Sequence, residues 1–153
     1  GSEMCIRDSI RPARSFADYL FLRRLRNSVR ANMTNNTTAI TYWQQLHFYF
    51  SKPSNIAVYI AEVGRKRAGY LLLRHENTTT LITEAVEEQF RGRGVATQLI
   101  RHARKLCRDL TAEILQTNIA SIALHEAAGF RLQSENARVR IYRDTTPANA
   151  GRE

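Results

Sequence analysis

Arg91-Gly92-Arg93-Gly94-Val95-Ala96, continued without a break by Thr97-Gln98-Leu99-Ile100, decides how this chain is to be read. Two glycines within three residues allow a tight turn and a close approach of backbone N–H groups to a ligand. Behind them Val95, Ala96, Leu99, Ile100, Ala103, Leu106, Cys107 and Leu110 recur at helical spacing and predict one apolar helix face. A glycine turn that opens an amphipathic helix aims free N–H groups and the positive end of the helix dipole at one spot, which suits an anion such as a diphosphate. An exposed basic turn has the same composition, and on these residues alone both readings stand. The stretch is neither GxxxxGK[ST] nor GxGxxG with an acidic residue about twenty positions on, so nucleotide hydrolysis and dinucleotide redox chemistry are disfavoured.

Upstream, Ile10–Ala13 reads as a short edge strand with Pro12 in it. Ser15 or Asp18 caps a helix carrying Phe16, Leu20, Leu22, Leu25 and Val29, with arginines on its other side. A polar turn over Asn32–Thr38 leads to a short aromatic helix, Thr41–Ser51. Ile56–Val63 and Ala68–Arg74 form a hairpin around Gly64-Arg65-Lys66-Arg67, and Thr80–Val86 is a third strand running into the glycine turn. After the long helix come a strand at Thr111–Thr117, a helix at Ile119–Ala128 closed by Gly129, and strands at Phe130–Ser134 and Arg138–Arg143. The pattern predicts an α/β (α+β) domain around one mixed, mostly antiparallel sheet of about six to seven strands with about four helices. Residues 1–9 read as a tag or non-native leader, 10–143 as the single domain and 144–153 as a frayed tail.

The 153 residues suffice for one domain with a real core, and 43% of them are hydrophobic. No apolar stretch reaches the roughly 20 residues that span a bilayer, and no signal-like leader is legible, so a soluble cytoplasmic protein is expected, without a membrane partner. Cys5 and Cys107 are too few for a disulfide framework and badly spaced for zinc, so no metal is expected; Cys107 reads as a core residue. The net charge of +9 favours anionic partners. Neither a zinc finger, an RNP motif nor a basic zipper is present, so nucleic acid is not expected among them.

Two motifs in order make the chain resemble the GNAT superfamily of N-acetyltransferases. The first is the turn Arg91–Ala96, which satisfies Arg/Gln-x-x-Gly-x-Gly/Ala; the second is Asn118, then His125 seven residues on, then Gly129-Phe130. The resemblance covers about Ile10–Arg143 and implies the GNAT fold with acetyl-coenzyme A as donor. It implies that the amides of Gly92, Arg93, Gly94, Val95 and Ala96 hold the pyrophosphate, with the charges of Arg91 and Arg93 nearby. It implies too that the Val86 backbone pairs with the pantetheine arm. Asn118 would bond that arm, fix a splay between two strands, or cap a helix. Ser121 fits the subgroup that acetylates amino groups on nucleotide-linked deoxysugars.

Acetyl transfer needs a base for the acceptor ammonium and an acid for the leaving thiolate. The family usually places a Tyr acid where this chain has His125, whose ordinary pKa near 6.5 would leave it only partly protonated at neutral pH. The alternative for His125 is a surface histidine on a short helix. Glu113 occupies the place of a base in acetyltransferases that act on protein N-termini, Glu84 shares the face of Val86, and His47 is a third candidate base. The acceptor side, again by resemblance to the nucleotide-sugar subgroup, falls on Arg23, Arg26 and Arg30 for a diphosphate, and on Tyr42 or Trp43 for stacking, with His47 beside them. The expected partners are thus acetyl-coenzyme A and a small amine-bearing acceptor, and a homodimer is compatible with this reading. Alternatives are a protein N-terminus or another small amine as acceptor, or a coenzyme A-binding module without transfer activity.

Overall fold

Tyr70, Leu71, Leu72 and Leu73 alternate between two separate cores, and this one strand shows why the chain needs helices on both sides of its sheet. The structure, a computed structural model, describes residues 8–34 and 37–145. The order is β1 (Ser9–Pro12), α1 (Phe16–Ser28), α2 (Tyr42–Ser51), β2 (Ile56–Val63), β3 (Lys66–His75), β4 (Thr80–Val86), α3 (Val95–Leu106), β5 (Leu110–Leu115), α4 (Ile119–Ala127), β6 (Arg131–Glu135) and β7 (Val139–Asp144). Single 3-10 turns lie at Arg30–Asn32 and Glu88–Phe90. The strands make one seven-stranded sheet in the order β1-β2-β3-β4-β5-β7-β6. Only β4 and β5 run parallel. This is the mixed, mostly antiparallel sheet with four helices that the sequence predicts.

One face carries α3, whose Val95, Leu99, Ile100 and Ala103 pack on Leu71, Leu73, Ile82, Leu110 and Ala112. Leu99 and Ile100 are wholly buried, and each such side chain stabilises the fold by about 1.5–3 kcal/mol. The other face carries α1 and α2, with Tyr19, Leu22 and Leu25 against Val58, Ile60 and Tyr70. The α1 start uses both expected residues in one capping box: Ser15 Oγ accepts from the Asp18 amide, and the Asp18 carboxylate accepts from the Ser15 amide. Asp18 also receives Arg11 from β1 at 2.7 Å and Arg67 from β3 at 2.8 Å, so one buried carboxylate ties three elements together.

Several boundaries differ from the sequence reading. The hairpin loop is only Gly64-Arg65, with Gly64 at φ +65°; Lys66 pairs with Val63, and Arg67 joins β3 facing Asp18. α3 stops at Leu106, which is half-exposed because the apolar stripe has rotated off the sheet there; Cys107 is its C-cap and Leu110 already belongs to β5. Tyr19 and Phe21 take core places in α1, and Val29 follows the helix as its C-cap. The sheet includes Ser9, paired with Glu62, and Asp144, whose buried carboxylate lies 3.0 Å from Arg104. The sheet therefore includes one residue beyond each end of the range 10–143. The remainder of the expected leader and tail lies outside the described residues, except Asp8, which accepts from the Gly64 amide, and Thr145.

Candidate active site

The parallel pair β4–β5 is joined only through Thr80↔Leu110 and Leu81↔Thr111, although both strands continue, to Val86 and Leu115. Past Leu81 and Thr111 the two strands part. A cavity of about 340 Å³ occupies the gap, lined by Glu84 and Val86 from β4, Glu113 from β5, Asn118, Ser121 and His125 at α4, and Arg91 and Ala96 at the glycine turn. Met33 and Thr34 close it from the α1 side. The split thus opens the sheet from one face to the other, and residues of both faces meet in it.

At the top of the gap, Gly92 and Gly94 have φ of +76° and +80°. L-residues avoid this region, so both glycines are needed to turn the chain into α3. Gly94 is the N-cap and its carbonyl accepts from Gln98, which leaves the amides of Val95, Ala96 and Thr97 outside the helical ladder. Arg91 and Arg93 are exposed beside them, the latter with its guanidinium 5.6 Å from the Phe90 ring centroid. Backbone donors, a helix dipole and two cations therefore converge where a diphosphate would sit. Arg91 Nε also donates to the Val86 carbonyl at 3.3 Å.

Below, Gly129 at φ +97° ends α4 in a Schellman turn, with the Phe130 amide on the His125 carbonyl at 3.0 Å and the Gly129 amide on the Glu126 carbonyl at 3.1 Å. The Phe130 ring meets the His125 imidazole edge-on at 5.2 Å. Gly129-Phe130 thereby fixes His125, which is no surface residue but 2% exposed. Its Nδ1 lies 2.7 Å from the Ser121 carbonyl. Its Nε2 lies 2.9 Å from Glu84 Oε1, an ion-pair distance without the alignment of a hydrogen bond. Burial pushes the imidazole pKa down, but the Glu84 charge and contact, with the Ser121 carbonyl, outweigh it and leave it raised. Glu84 Oε2 is buried without a partner.

Glu113 faces the other way. Its neighbours Ala112 and Ile114 belong to the α3-side core, so strand alternation turns Glu113 toward α1, where Thr34 Oγ1 donates to it at 3.3 Å. Asn118 is the N-cap of α4, accepting from the Ser121 amide at 3.3 Å, and it lines the cavity as well.

A second cavity of about 420 Å³ lies on the α1–α2 face and shares Met33, Thr34 and Thr83 with the first. Its walls include Arg26, Gln44, Phe48, Tyr70 and Arg74. Arg30, Trp43 and His47 line neither cavity: all three are exposed, and Trp43, 73% exposed, touches the Tyr42 ring from outside. The helical phase of α2 turns Gln44, Gln45 and Phe48 inward in their place. Arg26 from the expected basic helix does reach this cavity; Tyr70, Arg74 and Thr34 were not expected in it. Their only sequence signal was alternation along a strand and a polar turn, which mark no site. Among the described residues no group of His, Cys, Asp and Glu is placed to hold a metal, and no helix is long and apolar enough to cross a membrane.

Comparison with known proteins agrees with this fold. The chain is similar in structure to RimL, a ribosomal L7/L12 α-N-protein acetyltransferase in complex with coenzyme A, with TM-score 0.77 and 15% identity over 96% of this chain and 98% of that one. It is similar to an N-acetyltransferase from Staphylococcus aureus Mu50, with TM-score 0.75 and 20% identity over 91% and 99%. A spermidine N-acetyltransferase from Vibrio cholerae in complex with CoA and spermine gives TM-score 0.73 and 14% identity over 90% and 93%. No curated protein sequence matches the chain. The model of the acetyltransferase (GNAT) family matches residues 22–130, which run from within α1 through the β4–β5 split and the glycine turn to the Gly129-Phe130 motif. The chain belongs to the acetyltransferase (GNAT) family and is an acyl-CoA-dependent N-acetyltransferase.

Proposed function

We propose that this protein moves the acetyl group of acetyl-coenzyme A to a primary amine, with Glu113 as base and His125 as acid on opposite sides of the split between β4 and β5. The observation that carries this reading is the buried His125–Glu84 pair at 2.9 Å. A carboxylate that raises the imidazole pKa answers the objection that an ordinary imidazole would be mostly neutral at pH 7. Glu84 is then a positioning residue that keeps the acid charged, and Glu113 is the carboxylate left to face the acceptor.

The acceptor ammonium gives one proton to Glu113, directly or through a water. The neutral nitrogen attacks the thioester carbon, the C–S bond breaks, and the sulfur takes a proton from His125 Nε2. The nitrogen gives its second proton to water as the amide forms, Glu113 releases the first to solvent, and His125 takes a proton back from solvent before the next turnover. The glycine-turn amides, with Arg91 and Arg93, support a grip on the pyrophosphate, and the Val86 carbonyl exchanges the Arg91 guanidinium for a pantetheine amide. Asn118 and Ser121 line the path of that arm. The acceptor we favour is an amino group on a nucleotide-linked sugar, for which Arg26 supplies cationic support and Phe48 an aromatic wall; Arg30, Trp43 and His47, outside both cavities, have no part in it.

The test is thiol release from acetyl-coenzyme A with a nucleotide-linked amino sugar, followed across pH. Glu113→Gln lowers kcat by about 10²–10⁴. The alkaline limb of kcat follows the loss of the His125 proton, so Glu84→Gln, which removes the charge that raises that pKa, moves the limb to lower pH. An unmoved limb in Glu84→Gln, together with a wild-type rate in Glu113→Gln, would overturn these assignments.

A further inference from the structure

The cavity on the α1–α2 face has a charge bias that the acetyl-transfer reading does not by itself require. Two guanidinium groups, Arg26 and Arg74, line it, and among the described residues no Asp or Glu does. Arg26 is held in place by donation to the Thr38 carbonyl, while Arg74 is exposed near the end of β3. The same cavity is lined by Tyr70, 1% exposed, whose hydroxyl is buried without a hydrogen-bond partner. A buried hydroxyl left unpaired destabilises the empty cavity, so an arriving acceptor atom would satisfy it. Burial, and then the Glu84 charge, push the Tyr70 pKa up against the opposing Arg26 charge, so the hydroxyl stays protonated and is a donor.

The rest of the wall is apolar, with Leu22, Phe48 and Leu72. Arg74 also lines a small cleft of about 60 Å³ together with Thr34, Thr83 and Glu113. A molecule with its anion on Arg74 therefore has a short route for its amine to the carboxylate we assign as base.

Resting on the acetyltransferase reading above, we propose that this cavity is the acceptor pocket and that it selects amines bearing an anionic group, carboxylate or phosphate, on an apolar or ring body. Arg26 and Arg74 hold the anion, Tyr70 donates to it, and Phe48 and Leu72 cover the body. Polyamines meet two cations and no carboxylate there and are rejected.

Two matched pairs of acceptors test this: phenylalanine against phenethylamine, and a nucleotide-linked amino sugar against the methyl glycoside of the same amino sugar, with spermidine alongside. At least one anionic member is expected to exceed its uncharged partner tenfold or more in kcat/KM, and the pair that shows it tells carboxylate from phosphate. Arg74→Glu reduces that preference at least tenfold and Arg74→Lys retains most of it; Tyr70→Phe weakens acceptor affinity threefold to tenfold. Spermidine or the uncharged members used as well as the anionic ones would sink anion selection while leaving acetyl transfer intact. Calorimetry with N-acetylphenylalanine and the nucleotide-linked acetamido sugar, against their uncharged counterparts on the CoA-saturated protein, needs no turnover. Tenfold tighter binding of an anionic probe with no amine acetylated would keep the pocket and remove the acetyl-transfer reading; equal binding of charged and uncharged probes would overturn the pocket.

Discussion

The two flanks of the split sheet are built by different means. On the proposed donor flank, backbone amides at the start of α3 would do the recognising, and they are presented by Gly92 and Gly94 turning at positive φ. On the proposed acceptor flank, side chains would do it, contributed by Arg26 on α1, Phe48 on α2 and Tyr70 and Arg74 on β3. A backbone grip dictates residue types at fixed spacing, because only glycine tolerates the geometry. A side-chain pocket imposes no such spacing, because strands and helices far apart in the chain each lend one residue. The donor flank is thus constrained within six residues, whereas the acceptor flank is free to vary at single positions.

The largest effect that separates the flanks is expected at Gly94. Gly94→Glu forces a side chain onto a backbone at φ +80° and puts a negative charge where the pyrophosphate would lie. Acetyl-coenzyme A should no longer raise the melting temperature of the variant, while the unliganded protein still unfolds cooperatively. If the ligand stabilised Gly94→Glu as well as wild type, the backbone grip would lie elsewhere and the contrast between flanks would collapse.

Next in size is Asp18, which anchors the acceptor flank. Burial pushes its carboxyl pKa up, but Arg11, the Arg14 amide, Arg67 and the Ser15 amide more than reverse this and hold it well below the usual carboxylate range. A depressed carboxyl contributes stability that is present above its unfolded pKa, near 3.9, and is lost as pH falls through the folded value. Asp18→Asn leaves two arginines facing a neutral amide. Breaking a buried pair costs about 3–5 kcal/mol, and because Arg11 and Arg67 keep some solvent the expected loss is about 2–3 kcal/mol. Urea unfolding at neutral pH measures it; a change below about 0.5 kcal/mol would show that α1 is positioned by its apolar face alone.

What could be read from the sequence follows the same division. The sheet, the four helices and the glycine turn were legible because periodicity and positive-φ glycines are local properties. His125 was singled out by its spacing to Gly129-Phe130 and Glu84 as a candidate base on the face of Val86, yet nothing in the sequence showed that these two would pair across the split. Arg30, Trp43 and His47 lie outside both cavities: Arg30 falls in the 3-10 turn after α1, and buried Gln45 with Phe48 sets the rotation of α2, which leaves Trp43 and His47 exposed. Which side of a short helix faces the sheet depends on packing with distant residues, and a period-3.6 pattern as weak as Tyr42–Ser51 does not choose between sides. Tyr70 was hidden for the opposite reason, since an aromatic residue in a buried strand looks like core until its hydroxyl is found without a partner.

The smallest effect expected is the most specific to the donor flank. Burial lowers the His125 pKa and Glu84, with the Ser121 carbonyl, more than restores it, so the folded value lies above the ordinary 6.5. A raised histidine contributes stability that is complete below its unfolded pKa and is lost as pH rises through the folded value, the reverse of Asp18. The wild-type melting temperature should therefore fall on the alkaline side of neutrality by an amount worth about 1 kcal/mol, the scale of one charge-assisted contact, or about 2–4 °C for a domain of this length. Glu84→Gln should flatten that limb while leaving the acid limb of Asp18 in place, since the two groups lie in cores on opposite faces of the sheet. A limb that persists unchanged in Glu84→Gln would assign the alkaline loss to another group and would leave His125 neutral at the pH where it has to give up a proton.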